Sequence, residues 1–70
     1  MIEVQPEAAA VPRLEPGEVA WSRAGLSRSR AYELMSRGEF PKPVKLGRSI
    51  RFVASEVDAW IAARVAERDS

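Results

Sequence analysis

Residues 25–38, GLSRSRAYELMSRG, decide the fold, because they contain an N-cap residue, a set of apolar positions on one face and a terminating glycine for one short helix. Ser27 is a residue type preferred at the N-cap, and Gly38 is typical of a helix end. Between them Ala31, Leu34 and Met35 recur at i, i+3, i+4, which predicts one narrow buried face. The sequence therefore predicts a helix from Ser27 to about Arg37 with a polar outer face.

A second helix is predicted immediately before this stretch, over Glu15–Ala24. Pro16 suits the first helical position, and Ala20, Trp21 and Ala24 fall on one face. The turn Gly25-Leu26-Ser27 then joins two short helices. This spacing is typical of a helix-turn-helix.

The residues after Gly38 predict a β-hairpin. The run Phe40-Pro41-Lys42-Pro43 cannot continue a helix, because proline lacks a donor and pushes its predecessor into an extended conformation. Two alternating segments follow, Val44-Lys45-Leu46 and Ile50-Arg51-Phe52, joined by a predicted three-residue loop, Gly47-Arg48-Ser49. This register directs Val44, Leu46, Ile50 and Phe52 inward and Lys45, Arg48 and Arg51 outward.

A third helix is predicted from Ser55, the N-cap of a capping-box sequence SEVD, to about Arg68. The apolar positions Val57, Trp60, Ile61 and Val65 form its buried stripe. The fold class predicted is thus mainly α with a small β-hairpin, a winged helix-turn-helix over residues 13–68. Residues 1–12, rich in Ala, Pro and Glu, are predicted to form a disordered tail.

Charge is strongly segregated along the 70 residues, although the net charge is only +1. Residues 1–21 hold one arginine against four glutamates, a net −3. Residues 22–53 hold eight basic residues against two acidic ones, a net +6, and residues 54–70 hold two against four, a net −2. A basic central segment of this kind favours a polyanionic partner.

Composition excludes several classes of function. The chain has no cysteine and no histidine, so it forms no disulfide and no Cys/His metal site. Its carboxylates are scattered, which argues against an enzyme. We expect no cofactor, and the absence of a long apolar run predicts a cytoplasmic protein with no membrane partner.

The basic segment and the predicted fold together indicate a double-stranded DNA-binding domain. The major groove admits one α-helix, whose first residues meet base edges, where arginine pairs with guanine. The first turn of such a helix also offers free N–H groups to a phosphate. The hairpin would lie along the neighbouring backbone or minor groove. The predicted DNA-binding residues are Ser27, Arg28, Ser29, Arg30, Tyr32, Lys45, Arg48 and Arg51.

Three segments resemble the AlpA-like phage regulators: LSRSRAYELM (26–35), GEFPKPVKLG (38–47) and SEVDAWI (55–61). The resemblance covers about residues 13–68. It implies a winged helix-turn-helix similar to excisionases and to the DNA-binding heads of MerR-type regulators, with Ser27, Arg28 and Ser29 at the reading end. Arg30 and Glu33 depart from the Thr-like and basic residues expected of the family, which leaves the base sequence that is read open.

Several alternatives remain open at this level. The family resemblance implies either a transcriptional regulator of a phage, prophage or mobile element, or an excisionase-type factor that bends attachment-site DNA for an integrase. A non-DNA-binding adaptor is a further alternative. Glu33 and Arg37 could form a surface ion pair, and Arg28 and Arg30 could simply be solvated. One domain of this size contacts only a short stretch of DNA and binds it with modest affinity. We therefore expect a weak homodimer or a cooperative array on DNA.

Overall fold

The computed structural model describes residues 11–68, and residues 1–10 of the predicted tail lie outside this range. Val11 and Pro12 are exposed and lead into the first strand. The elements are β1 (Leu14–Pro16), α1 (Gly17–Arg23), α2 (Arg28–Ser36), β2 (Val44–Leu46), β3 (Ser49–Val53) and α3 (Ala54–Glu67). No helix within residues 11–68 is long and apolar enough to cross a membrane.

The domain is mixed α/β, with a three-stranded antiparallel sheet in place of the predicted hairpin alone. The prediction that a helix begins at Glu15 was wrong, because Leu14–Pro16 form β1 and pair with β3. Since β1 is an outer strand, Pro16 is tolerated there without disrupting the centre of the sheet. A three-residue strand leaves almost no periodic signal, and long-range pairing of Glu15 with Phe52 creates it.

Helix α2 confirms the prediction made from residues 25–38. The Ser27 side chain accepts a hydrogen bond of 3.1 Å from the Arg30 backbone N–H. Ala31 and Leu34 are buried, and Met35 packs against the core. The helix ends at Ser36, with Arg37 as its C-cap. Local signals were sufficient here because the cap, the stripe and the stop lie within one short segment.

The hairpin has a different register from the one predicted. A two-residue turn, Gly47-Arg48, brings Leu46 opposite Ser49, and Val44 opposite Arg51. Gly47 has a positive φ of 63°, whereas Arg48 does not, and glycine first in a two-residue loop favours this turn.

Because one residue of register exchanges the faces of a strand, the shorter turn changes which side chains are buried. Phe52 is fully buried and Ile50 is half-buried against the core. Leu46 lies on the other face and is 49% exposed, so its predicted inward position was wrong. Val44 shares that outer face with Arg51, so its predicted inward position was wrong as well.

Helix α3 begins two residues earlier than predicted, directly after β3. Val53 occupies the N-cap position and no side chain caps the helix, so the assignment of Ser55 as N-cap was wrong. The Ala54 N–H instead donates to the Arg13 carbonyl oxygen at 2.8 Å. Tertiary contact with the segment before β1 thus replaces the local cap.

The hydrophobic core lies where α1, α2 and the first half of α3 meet the sheet and the loop after α2. Phe40 contacts Phe52 and Trp60 edge-to-face, with ring centroids 5.3 and 5.0 Å apart. Trp60 is half-buried and donates its indole N–H to the Glu39 carbonyl oxygen at 2.8 Å. Val65 is 48% exposed, so the predicted stripe of α3 contributes to the core only as far as Ile61.

An ionic cluster joins three elements of the fold. Glu15, in β1, is the only buried charged residue of the described chain. Arg23, at the end of α1, donates to its carboxylate at 2.9 Å and forms a second ion pair with Asp58 of α3 at 2.8 Å. Hydrogen bonds to Glu15 and then Asp58 raise the pKa of Arg23, which keeps the guanidinium charged.

The first prediction concerns the core. We expect Phe52→Ala to cost about 3–5 kcal/mol of unfolding free energy, because it removes a fully buried ring from a small core. That amount is comparable to what a single core of this size supplies. Urea unfolding followed by circular dichroism measures it, with the half-exposed Val65→Ala as control, expected within about 0.5 kcal/mol of the parent. Equal losses in the two variants would contradict the assignment of the core.

The second prediction concerns the ionic cluster. Arg23→Gln leaves the buried carboxylate of Glu15 without its partner, so we expect a clear fall in the midpoint of thermal unfolding. The double variant Glu15→Gln/Arg23→Gln should recover part of that loss, because no uncompensated charge then remains buried. A double variant whose midpoint falls by the sum of the two single changes would show that the two side chains do not interact.

Candidate nucleic-acid interface

Eight of the eleven basic residues of the described chain can be sorted by whether they form ion pairs. Four arginines form ion pairs: Arg23, Arg30, Arg37 and Arg64. Four other basic residues from the predicted site form none with the carboxylates of residues 11–68: Arg28, Lys45, Arg48 and Arg51. A cation that has no partner within its own chain is available to an external anion, so the second group marks the candidate surface.

At the start of α2, Ser27 and Arg28 have distinct environments. The Ser27 hydroxyl oxygen caps the helix by accepting from Arg30 N–H, so this acceptor is already in use. Arg28 is exposed, and its guanidinium carbon lies 5.7 Å from the centre of the Tyr32 ring, one turn along. Arg28 and Tyr32 therefore occupy one flank of α2, while Ser29 is exposed on the outward face.

Tyr32 is positioned by Trp21 of α1. The two ring centroids are 5.7 Å apart, and Tyr32 remains 45% exposed. Trp21 in turn lies directly over Gly17, where an added Cβ would come within 2.9 Å of the indole ring. A side chain at position 17 would thus push Trp21 toward Tyr32. The orientation of one flank of α2 depends on that close approach.

Arg30 is not a free cation. Its guanidinium donates to Glu33 at 2.7 Å, and Arg37 binds the other oxygen of the same carboxylate at 2.8 Å. The hydrogen bond from Arg30, followed by the charges of Arg30 and Arg37, holds the pKa of Glu33 below its usual range. The ion pair between Glu33 and Arg37 that the sequence left open is therefore present, and a second one with Arg30 was not anticipated.

The hairpin residues differ in exposure. Lys45 and Arg48 are exposed, Lys45 in β2 and Arg48 in the turn. Arg51 is half-buried and donates to the Ile50 carbonyl oxygen at 3.2 Å. The exposure of Arg48 agrees with its predicted outward position. Lys45 is exposed, but it lies opposite Ile50 on the face that carries the core residues, so its predicted outward-facing register was wrong. Arg51 is only partly accessible.

A surface cleft of about 350 Å³ brings residues of the helix pair and the hairpin together. Arg28 of α2 lines it together with Ser49 and Arg51 of β3. Trp21 and Glu18 of α1 also line it. Sequence reasoning identified Arg28 and Arg51 separately but missed Ser49, Trp21 and the cleft. Positions 28 and 51 are far apart in the chain, and only the packing of α1 on the sheet brings them to one place.

These features define a small mixed α/β domain whose start of α2 and hairpin present cations that form no ion pair within residues 11–68. The family model described as "Prophage CP4-57 regulatory protein (AlpA)" matches residues 17–65. This range covers most of the chain, with α1, α2, the hairpin and α3 as far as residue 65. The chain therefore belongs to this family of phage regulatory proteins.

A relative from a bacteriophage supports the same assignment. The chain is 53% identical over 45 residues to "Uncharacterized protein ORF88" of Enterobacteria phage P4. The match covers 63% of this chain and 51% of the phage protein, so it spans about half of that protein's length. No solved structure matches the chain significantly.

The third prediction concerns Glu33. Because its pKa in the folded chain is lowered, its ion pairs stabilise the fold above the pKa of the unfolded carboxyl, and this contribution disappears as the pH falls through the folded pKa. We expect the titration midpoint of its carboxyl carbon, measured by NMR, to lie below that of an ordinary glutamate. Arg30→Gln should raise the midpoint, since it removes the largest cause. A midpoint unchanged by Arg30→Gln would show that the ion pair does not form in solution.

Proposed function

We propose that the chain is a sequence-specific double-stranded DNA-binding regulator of a phage, prophage or mobile element. It would read the major groove with α2 and hold the backbone or minor groove with the hairpin, as a winged helix-turn-helix does. The observation that carries this proposal is the set of unpaired cations shared between the start of α2 and the hairpin. Membership of a phage regulatory family supports the same conclusion.

The geometry of α2 suits a reading role. A helix with its side chains is about 10–12 Å across, close to the width of about 12 Å of the major groove. Its exposed residues are polar, and the buried stripe of Ala31 and Leu34 fixes which face turns away from the core. Ser29 lies at the first turn of the exposed face, where recognition helices meet base edges.

Arg30 is assigned to base reading as well, although it is paired with Glu33, because a guanidinium has five N–H donors and this pair uses only part of them. Glu33 holds its guanidinium at 2.7 Å, so the side chain loses less conformational freedom on meeting guanine O6 and N7. Arg37 binds the other oxygen of Glu33, which reduces the repulsion between that carboxylate and the DNA. Lys45 and Arg48, which are exposed and unpaired, suit contacts with phosphates.

The fourth prediction separates reading from positioning. Arg30→Gln should weaken binding to the cognate duplex by about 1–3 kcal/mol and binding to random duplex much less. Arg48→Gln should weaken both duplexes by similar factors and reduce the slope of log affinity against log salt by about one contact. Fluorescence anisotropy on both duplexes across a salt series measures these effects.

Arg37→Gln is the matched control for Arg30→Gln. It removes the other ion pair of Glu33 but lies at the far end of α2, so it should leave the ratio of cognate to random affinity nearly unchanged. Equal losses on both duplexes with Arg30→Gln would remove Arg30 from the reading residues. A wild-type chain with no salt-dependent affinity for either duplex would exclude DNA binding and favour an adaptor.

The regulatory and excisionase-type roles would use the same DNA-binding surface. Gel shifts on permuted sites separate them, because an architectural factor bends its site strongly and loads on contiguous sites. A weak homodimer or a cooperative array would appear as steps of increasing size, and an integrase is a partner only for the excisionase-type role.

A further inference from the structure

Arg51 stands apart from the other basic residues of the described chain. Taken as a whole residue, Arg51 is half-buried, whereas the other arginines and lysines of residues 11–68 are exposed. A guanidinium removed from water requires a compensating partner. Arg23 provides the comparison: its side chain is 35% exposed and it binds two carboxylates, Glu15 and Asp58.

The contact that Arg51 makes leaves its charge uncompensated. One of its N–H groups donates to the neutral carbonyl of Ile50, and it forms no ion pair with a carboxylate of residues 11–68. A guanidinium has five donors in a fork that matches a phosphate, so Arg51 retains most of its hydrogen-bonding capacity.

A second guanidinium faces the same space. Arg28 lines the cleft with Arg51, and it likewise has no carboxylate partner in the described chain. Two positive charges beside one cleft repel each other. An anion bound between them attracts both, and this attraction offsets the repulsion. The Arg28 guanidinium carbon lies 5.7 Å from the centre of the Tyr32 ring, so Tyr32 restricts the space in which this side chain can lie.

Two other polar side chains line the cleft, those of Ser49 and Glu18. The Ser49 hydroxyl donates to the Leu46 carbonyl oxygen at 3.1 Å, so its hydrogen is already in use. Glu18 also lines the cleft but pairs with neither arginine, and its charge opposes an incoming anion. The charged donors that line the cleft are therefore the two guanidinium groups, and the carboxylate of Glu18 weakens the site for an anion.

We infer that Arg28 and Arg51 bind one and the same phosphate group, which in the DNA complex is a single backbone phosphodiester. This inference rests on the proposed function. It assigns Arg28 to positioning, in place of the base-reading role predicted from its location at the start of α2. The shared phosphate would fix the spacing between helix and hairpin on the duplex, because each element contributes one of its two ligands.

The test is a scan in which each phosphate of the duplex is replaced in turn by a neutral methylphosphonate. We expect one position, close to the hairpin, at which the full-length chain loses about tenfold in affinity, the loss of one charge-assisted contact. Arg28→Gln and Arg51→Gln should each bind the native duplex more weakly and show a smaller further loss at that same position, because one of the two ligands remains; the double variant should show almost none. At the other phosphate contacts they should remain as sensitive as the parent.

Arg48→Gln is the control, because Arg48 is exposed in the adjacent turn and does not line the cleft. It should keep the full loss at the shared position. Glu18→Gln should tighten binding to the native duplex a few-fold, and this gain should vanish in the Arg51→Gln background. Arg28 is exposed, so the scan with Arg28→Gln remains informative even if Arg51→Gln disturbs the fold.

Two results distinguish the possible failures. If the two arginine variants become insensitive at different positions, or if neither loses sensitivity anywhere, the shared phosphate is refuted while DNA binding stands. If the parent chain binds no duplex, the proposed function itself fails. In that case, an Arg Nε–H NMR titration with inorganic phosphate tests the cleft separately: saturable shifts of both arginines would retain it as a phosphate site, and their absence would exclude it.

Discussion

The salt bridge between Arg23 and Glu15 is the interaction on which the arrangement of the other elements depends. Glu15 belongs to β1, Arg23 to the end of α1, and the same guanidinium reaches Asp58 and the Ala54 carbonyl oxygen at the start of α3. A buried carboxylate is tolerated only with such a partner. The pair therefore holds α1 at a fixed angle to the sheet, and the short turn that follows carries this angle on to α2.

The sheet register has an equally direct consequence for function. With the two-residue turn at Gly47-Arg48, Arg51 lies opposite Val44 on one side and Pro16 on the other, at the edge of the cleft. The predicted three-residue loop would have placed it opposite Lys45 instead. A turn longer by one residue would thus have placed Arg51 opposite the like charge of Lys45, whereas the observed turn places it at the cleft beside α2.

Features fixed by adjacent residues were predictable from the sequence, and features fixed by tertiary pairing were not. The cap at Ser27 and the buried pair Ala31 and Leu34 were correct because each depends on neighbours within one helix. The strand β1, the hairpin register and the start of α3 at Ala54 depend on partners elsewhere in the chain. The same distinction holds for the candidate site: unpaired cations were recognised by residue type, but the ion pair of Arg30 was missed. That Arg28 and Arg51 line the same cleft follows only from tertiary packing.

Hydroxyl-radical footprinting of the DNA that flanks the coding region of this chain tests the central claim most directly. At low salt the account predicts a short protected segment on each of the two strands that border one major groove. An adjacent stretch of minor groove, where the hairpin lies, should also be protected. Protection should fade as salt increases, because unpaired cations supply the phosphate contacts. Uniform cleavage at low salt, or protection that does not respond to salt, would contradict the account.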